Sequence, residues 1–348
     1  MRFGLFFLMQ RDPDWSEQAV YDAELAQMDL AEELGFEAVW IAEHHFSDYG
    51  LCPVPPVIAA RVAARSRRLR VGMGVSLLPL HDPVMLAEQL AVLDQVSEGR
   101  LDVGIGRGGA GPDYGTFGVD YKESRDRVEE GIDLMRRCWS GEEVNFTGRF
   151  RSVEGVRVTP RPRQRPQPPL YIAANSADTG LHAARMGLPT LSSFFIPAPE
   201  LARRREAYRE EALNAGHEAT AVESMIAQSW GMRCVHVASN GDSAIGAARG
   251  PFMAYQARLG GRANVRDRLS HARLRPFEEY LEQGLAIFGN PDQVVDGLAR
   301  YGEETGFDKV MLLMAVAGIP SADVVRSMEL FAARVMPELR RPAEAAAV

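Results

Sequence analysis

Apolar runs of four to eight residues alternate along the chain with longer stretches whose apolar positions recur at helical spacing, the pattern of parallel strands joined by crossover helices. The runs Arg2–Leu8, Ala38–Ala42, Leu69–Leu77 and Leu101–Gly106 are almost wholly apolar or glycine, as strands covered on both faces must be. Leu170–Ala174, Leu188–Ser192, Trp230–Ala238 and Asp308–Ala315 continue the series to eight. Between them lie helical stretches. Ser16 can cap one carrying Ala19, Ala23, Ala26, Leu30 and Leu34, with Gly35 as its stop. Others are predicted over Lys122–Trp139, Ala177–Met186, Pro199–Ala215, Pro291–Tyr301 and Ser321–Met336. The expectation is an α/β fold, a (β/α)8 TIM barrel with insertions, spanning 1–348 as one domain. A length of 348 residues suits a single such barrel, since these run from about 200 to over 400 residues.

Two segments break the alternation. Gly141–Arg165 is rich in Gly, Arg and Pro with strand-like pieces such as Arg151–Val158, and reads as a hairpin inserted at about 141–168. Residues 259–284 are polar and Arg-rich without a clean period; a long loop there is either a lid over the barrel mouth or a surface insertion. A net charge of −8 with no long basic run argues against nucleic acid, whose affinity comes largely from clustered Lys and Arg. Val310–Ile319 falls short of the roughly 20 apolar residues that span a bilayer, so no membrane partner is expected. Met1–Met9 runs into Gln10, Arg11 and Asp12, where a leader would need small residues, and reads as a first strand. Cys52, Cys138 and Cys234 are an odd number at wide spacing. They support neither a disulfide framework nor a zinc site and point to a cytoplasmic location.

Candidate chemistry collects where strands end, which in a barrel of this kind is where active sites are built. Glu43, His44, His45 and Phe46 follow the second strand. Neighbouring side chains of an extended segment point in opposite directions, so one imidazole faces the mouth, and His44 is the candidate. It is either a general base or hydrogen-bond donor, since imidazole titrates near about pH 6.5, or a structural histidine bonded to backbone. A metal is disfavoured because the pair lacks the i, i+4 spacing that brings two imidazoles to one zinc. Gly104 to Gly109 matches GxGxxG after a strand. A dinucleotide site is rejected, because Ala110–Asp120 is a Gly, Pro and Asp loop that opens no helix. The glycines instead let backbone approach a flat ligand, while Arg107 offers a planar fork to phosphate. After the fifth strand, Asn175, Ser176, Ala177, Asp178 and Thr179 open a helix. Such a terminus attracts phosphate, although Ser176 also serves as a plain cap. Adjacent fourth and fifth strands would place Arg107 and Thr179 at one anion site.

With these residues assembled, the chain resembles the luciferase-like flavin-dependent monooxygenase family, above all the catalytic subunit of bacterial luciferase. The resemblance is carried by RFGLFFL, GFEAVWIAEHHFSDYGL, LLPLHDPVMLAEQLAVLDQVSEGRLDVGIGRG, FGVD, PPLYIAANSADTGLHAARMGLP and LFAARVMPEL. It implies reduced FMN as cosubstrate, O2 as oxidant, and a flavin hydroperoxide that oxygenates an apolar aldehyde, ketone or aromatic secondary metabolite. It implies a catalytic role for His44 and flavin contacts from Arg107, Ser176 and Thr179, with Ala42, Glu43, Gly106, Asn175 and Ala177 beside them. Phe46, Tyr49, Tyr114, Phe117, Phe194 and Phe195 are candidates for a substrate pocket. A separate flavin reductase and a homodimer joined near Val57–Ala64 and Leu86–Val96 are implied as well. The luciferase subunit has Glu where Asn175 stands and Cys where Gly106 stands, which puts light emission in doubt. A deazaflavin-dependent oxidoreductase and a non-catalytic partner subunit are the alternatives.

Overall fold

The computed structural model describes residues 1–109, 111–261 and 274–340. Among them are β1 (Arg2–Phe7), β2 (Ala38–Ile41), β3 (Arg70–Leu77), β4 (Leu101–Gly106), β5 (Val144–Thr147), β6 (Ser152–Val156), β7 (Leu170–Ala173), β8 (Thr190–Leu191), β9 (Gly231–Val237), β10 (Ala286–Gly289) and β11 (Lys309–Leu313). Nine of these form one parallel sheet in the order β10-β9-β11-β1-β2-β3-β4-β7-β8. The sheet curls until β8 meets the residue that precedes β9: Trp230 N–H donates to Thr190 O and Ser192 N–H donates to Trp230 O, each at 2.9 Å. Helices cover its outside, so the strands are buried on both faces, which is why they read as continuous apolar runs.

The amino-terminal half of the barrel is filled by rings. Trp40 is fully buried and packs edge-on against Tyr171 at 5.5 Å and Trp230 at 5.6 Å. Gly72 makes room for it, since a Cβ there would lie 2.3 Å from the Trp40 ring. Gly104 has the same kind of role: its Cβ would lie 2.4 Å from Met73 O. The first glycine of the GxGxxG match is therefore a packing residue inside β4.

Several local expectations shift. The first helix spans Glu17–Leu30 with Ser16 Oγ accepting from Ala19 N at 3.1 Å, and stops a turn before Gly35, which sits at φ 87°. The loop after β4 holds one helical turn, Pro112–Thr116. β5 and β6 pair antiparallel between the helix Ser124–Ser140 and β7. β10 was not anticipated; it extends the sheet beside the second half of β9. Of the segment expected as a lid, residues 262–273 lie outside the described residues, while 277–282 form the helix Phe277–Glu282.

Candidate active site

The carboxyl ends of the strands surround a cavity of about 310 Å³, open to solvent. On one side β4 and β7 are neighbours, Gly104 beside Tyr171 and Ile105 beside Ile172, so the segments leaving them stand together. Arg107 Nη2 donates to Thr179 Oγ1 at 3.4 Å, and Ser176 Oγ lies 2.9 Å from the same hydroxyl. Ser176 caps the helix Ala177–Arg185, its Oγ accepting from Thr179 N at 3.3 Å. Among the described residues no carboxylate lies within ion-pair distance of Arg107. Burial pulls its pKa down, and the nearby Arg125 guanidinium does so further. Arg125 is itself paired with Asp178. A half-buried guanidinium crowded by a second cation, beside two hydroxyls and a helix N-terminus, has the chemistry that suits an anion. Gly106 and Gly108 continue this group as open backbone along the cavity.

Opposite, β2 delivers Ala42, Glu43 and His44 to the cavity. The imidazole of His44 packs edge-on against Tyr49 at 4.7 Å, and its backbone N–H bonds Cys52 O at 3.0 Å. His45 points away and bonds Glu43. That carboxylate is 2% exposed and its Oε1 meets His45 Nε2 at 2.9 Å and His81 Nε2 at 2.8 Å, while Oε2 accepts from Leu77 N at 3.1 Å. Burial alone would raise its pKa. The bonds from His45, His81 and Leu77 outweigh that and leave it below the ordinary value, so Glu43 is an anion that ties the end of β2 to the end of β3.

Set beside known proteins, residues 1–309 match the family model of luciferase-like monooxygenases. The chain belongs to the luciferase-like monooxygenase family. It is 34% identical over 218 residues to an alkanal monooxygenase alpha chain of Photorhabdus luminescens, covering 63% of this chain and 61% of that one. The match thus spans about three fifths of the length of the alkanal monooxygenase chains. A 4-hydroxyprotoasukamycin monooxygenase of Streptomyces nodosus is 29% identical over 91% of this chain and 85% of its own. Among solved structures, the monooxygenase RslO1 of Streptomyces bottropensis superposes with a TM-score of 0.87 at 28% identity, covering 98% of this chain and all of that one. The oxygenating constituent of 3,6-diketocamphane monooxygenase of Pseudomonas putida, solved with FMN, gives 0.80 at 22% identity over 98% and 100%. A coenzyme F420-dependent reductase of Methanopyrus kandleri gives 0.71 at 18% identity over 97% and 99%. These last two speak for the barrel alone.

In this member of the family the cavity gathers Ala42, Glu43, His44, Gly106, Arg107, Asn175, Ser176 and Thr179, with Phe194 and Phe195 on the far wall. Asn175 has a scaffolding job there: its Oδ1 accepts from Ser193 N at 3.1 Å and its carbonyl from Arg204 at 3.1 Å. Ala177 opens the helix but is not part of the lining. Phe46 lies outside too, 63% exposed and against Phe117 at 5.6 Å. Tyr114 is buried behind the loop, donating to Arg107 O at 2.5 Å. It positions the backbone of Arg107. Three residues were missed. His81 follows β3 and had only its place near a strand end to mark it. Arg125 sits in the first turn of the helix Ser124–Ser140, one arginine among many. Tyr255 reaches the cavity from the helix Gly241–Gly261, and nothing local in its sequence says so.

Proposed function

We propose that the protein is a monooxygenase that uses reduced FMN and O2 to oxygenate a small apolar organic substrate. The observation that supports this is the meeting of Arg107, Ser176 and Thr179, a donor set suited to a phosphate, at the edge of a cavity whose other walls are largely apolar. Bound there, reduced FMN supplies the electrons that activate O2. Arg107 and the two hydroxyls hold the phosphate, with Arg125 as a second positive charge. The open backbone at Gly106 and Gly108 lets a flat ring approach; a Cβ on Gly106 would lie 2.5 Å from Val75 Cγ2, so Val75 fills the space a larger residue would need. His44, fixed by Tyr49 and the Cys52 carbonyl, accepts or returns a proton at an imidazole nitrogen. Leu8, Phe194, Phe195 and Met311 exclude water from the reacting atoms.

The proposal extends to partners. A separate reductase delivers the reduced flavin, in keeping with a relative named as the oxygenase component of a flavin-dependent trigonelline monooxygenase. Val57 on the helix Pro55–Arg65 is 64% exposed, and Met85, Val92 and Val96 on the helix Pro83–Val96 are exposed as well. A second copy of the chain would cover them, making a homodimer. The three cysteines are buried and unpaired, which supports a reducing, cytoplasmic setting. No described helix is long and apolar enough to cross a membrane.

The second reading is a deazaflavin-dependent oxidoreductase, since enzymes that use F420 share this barrel. Anaerobic titration with each reduced cofactor, followed by mixing with O2 and measurement of oxygen uptake, separates the two. Binding of reduced FMN with oxygen uptake supports the proposal. Binding of the deazaflavin alone, without oxygen uptake, overturns it.

A further inference from the structure

Beyond the cofactor cradle, the cavity has a second built wall. His44 packs against Tyr49 at 4.7 Å, Tyr49 stacks on Tyr255 at 5.9 Å and an interplanar angle of 24°, Tyr255 meets Phe194 at 5.8 Å, and Phe194 meets Phe195 at 4.0 Å. All five residues line the cavity, so an unbroken aromatic strip leads from the candidate proton carrier to the far rim. Within it lies one polar couple: the Tyr49 and Tyr255 hydroxyls are 3.1 Å apart.

Tyr255 is 1% exposed, and burial raises its pKa well above the ordinary value, so it remains a neutral phenol. A phenol offers one donor and two acceptor positions. Among the described residues the Tyr49 hydroxyl is the hydrogen-bonding partner shown for Tyr255, which leaves Tyr255 capacity toward the cavity. A buried hydroxyl in an apolar wall gains from a ligand oxygen and gains nothing from an alkyl chain. Ring faces and edges in sequence likewise favour a planar aromatic ligand, through offset or edge-on contact, over a flexible chain.

We propose that His44, Tyr49, Tyr255, Phe194 and Phe195 form a docking face for a planar aromatic substrate bearing a hydroxyl or carbonyl oxygen, and that the tyrosine pair binds that oxygen. This names the substrate class of the proposed monooxygenase and rests on that reading only in calling the ligand a substrate. Tyr255 is then a specificity determinant.

The test is anaerobic calorimetric titration of the full-length protein, in the presence of reduced FMN, with 2-naphthol, naphthalene and decanal, while a separate anaerobic titration with reduced FMN reports cofactor binding. The docking face predicts that 2-naphthol binds about three- to tenfold tighter than naphthalene, as one neutral hydrogen bond implies, and tighter than decanal. Tyr255→Phe removes the preference for 2-naphthol and leaves naphthalene binding in place. Tyr49→Phe, which keeps the ring stack, reduces the same preference. Equal affinity for 2-naphthol and naphthalene, tighter binding of decanal, or equal losses for both aromatics in Tyr255→Phe would overturn the proposal. Absence of reduced-FMN binding alongside an intact 2-naphthol preference sinks the flavin reading and leaves the docking face standing. FMN binding without that preference does the reverse.

Discussion

Glu24 offers a test of how the barrel rim is held. It lies in the first helix, fully buried, with Oε2 accepting from Met9 N at 3.0 Å. Met9 itself adopts φ 53°, a left-handed turn uncommon for a side-chain residue, directly after cavity-lining Leu8. Burial drives the Glu24 pKa from 4.5 up to about 8, although the backbone N–H groups of Met9 and Gln10 pull it down. The folded chain therefore keeps a proton that the unfolded chain loses above about pH 4.5. Stability falls as pH rises from there to about 8, and is flat beyond. Between pH 5.5 and 8.5 a group with these two pKa values loses roughly 3 kcal/mol, because each pH unit crossed between them costs about 1.4 kcal/mol. Glu24→Gln keeps an acceptor for Met9 and removes the titration. Urea unfolding of both proteins at the two pH values isolates Glu24, because all other titrating groups are shared. The variant should gain about 3 kcal/mol on the wild type between pH 5.5 and 8.5. A stability difference that does not change with pH would refute the reasoning.

Two further predictions concern the frame of the site. Glu43→Gln weakens the charge-assisted bonds to His45 and His81 and should cost about 1–3 kcal/mol in urea unfolding; an unchanged midpoint would mean that the two histidines hold themselves. Gly104→Ala drives a methyl onto Met73 O and Leu191 and should destabilise by about 1–3 kcal/mol, read as a lower thermal midpoint, whereas an unaltered midpoint would show that β4 can shift to admit it.

The barrel was legible because parallel strands buried on both faces leave long apolar runs, and because the helices between them carry ordinary caps such as Ser16. The very short strand β10 was not, since four residues with one flanking glycine carry no period. The meeting of Arg107, Ser176 and Thr179 was legible from two strand ends plus the rule that neighbours in the barrel share a rim. The aromatic wall was only half legible. Phe194 and Phe195 follow a strand and face inward, yet Phe46 and Tyr114, equally near strand ends, turn outward or under a loop, because chain direction past a strand end depends on loop packing. Gly104 and Gly106 look alike in sequence, but a Cβ would meet Met73 O at one and the Val75 side chain at the other. Tyr255 joins the site only through the closure of the barrel, and Arg125 through the pairing of β4 with β7.

The proposed flavin site depends on Arg107, Ser176 and Thr179 receiving the phosphate. Anaerobic titrations with reduced FMN and reduced riboflavin, on the wild type and Arg107→Ala, test it most directly, because the two ligands differ only in the phosphate. A charge-assisted bond contributes about 1.5–3 kcal/mol, so the wild type should prefer reduced FMN by at least about tenfold, and Arg107→Ala should lose most of that preference while binding riboflavin as before. Equal affinity of the wild type for both flavins, or an equal loss of both in the variant, would contradict it.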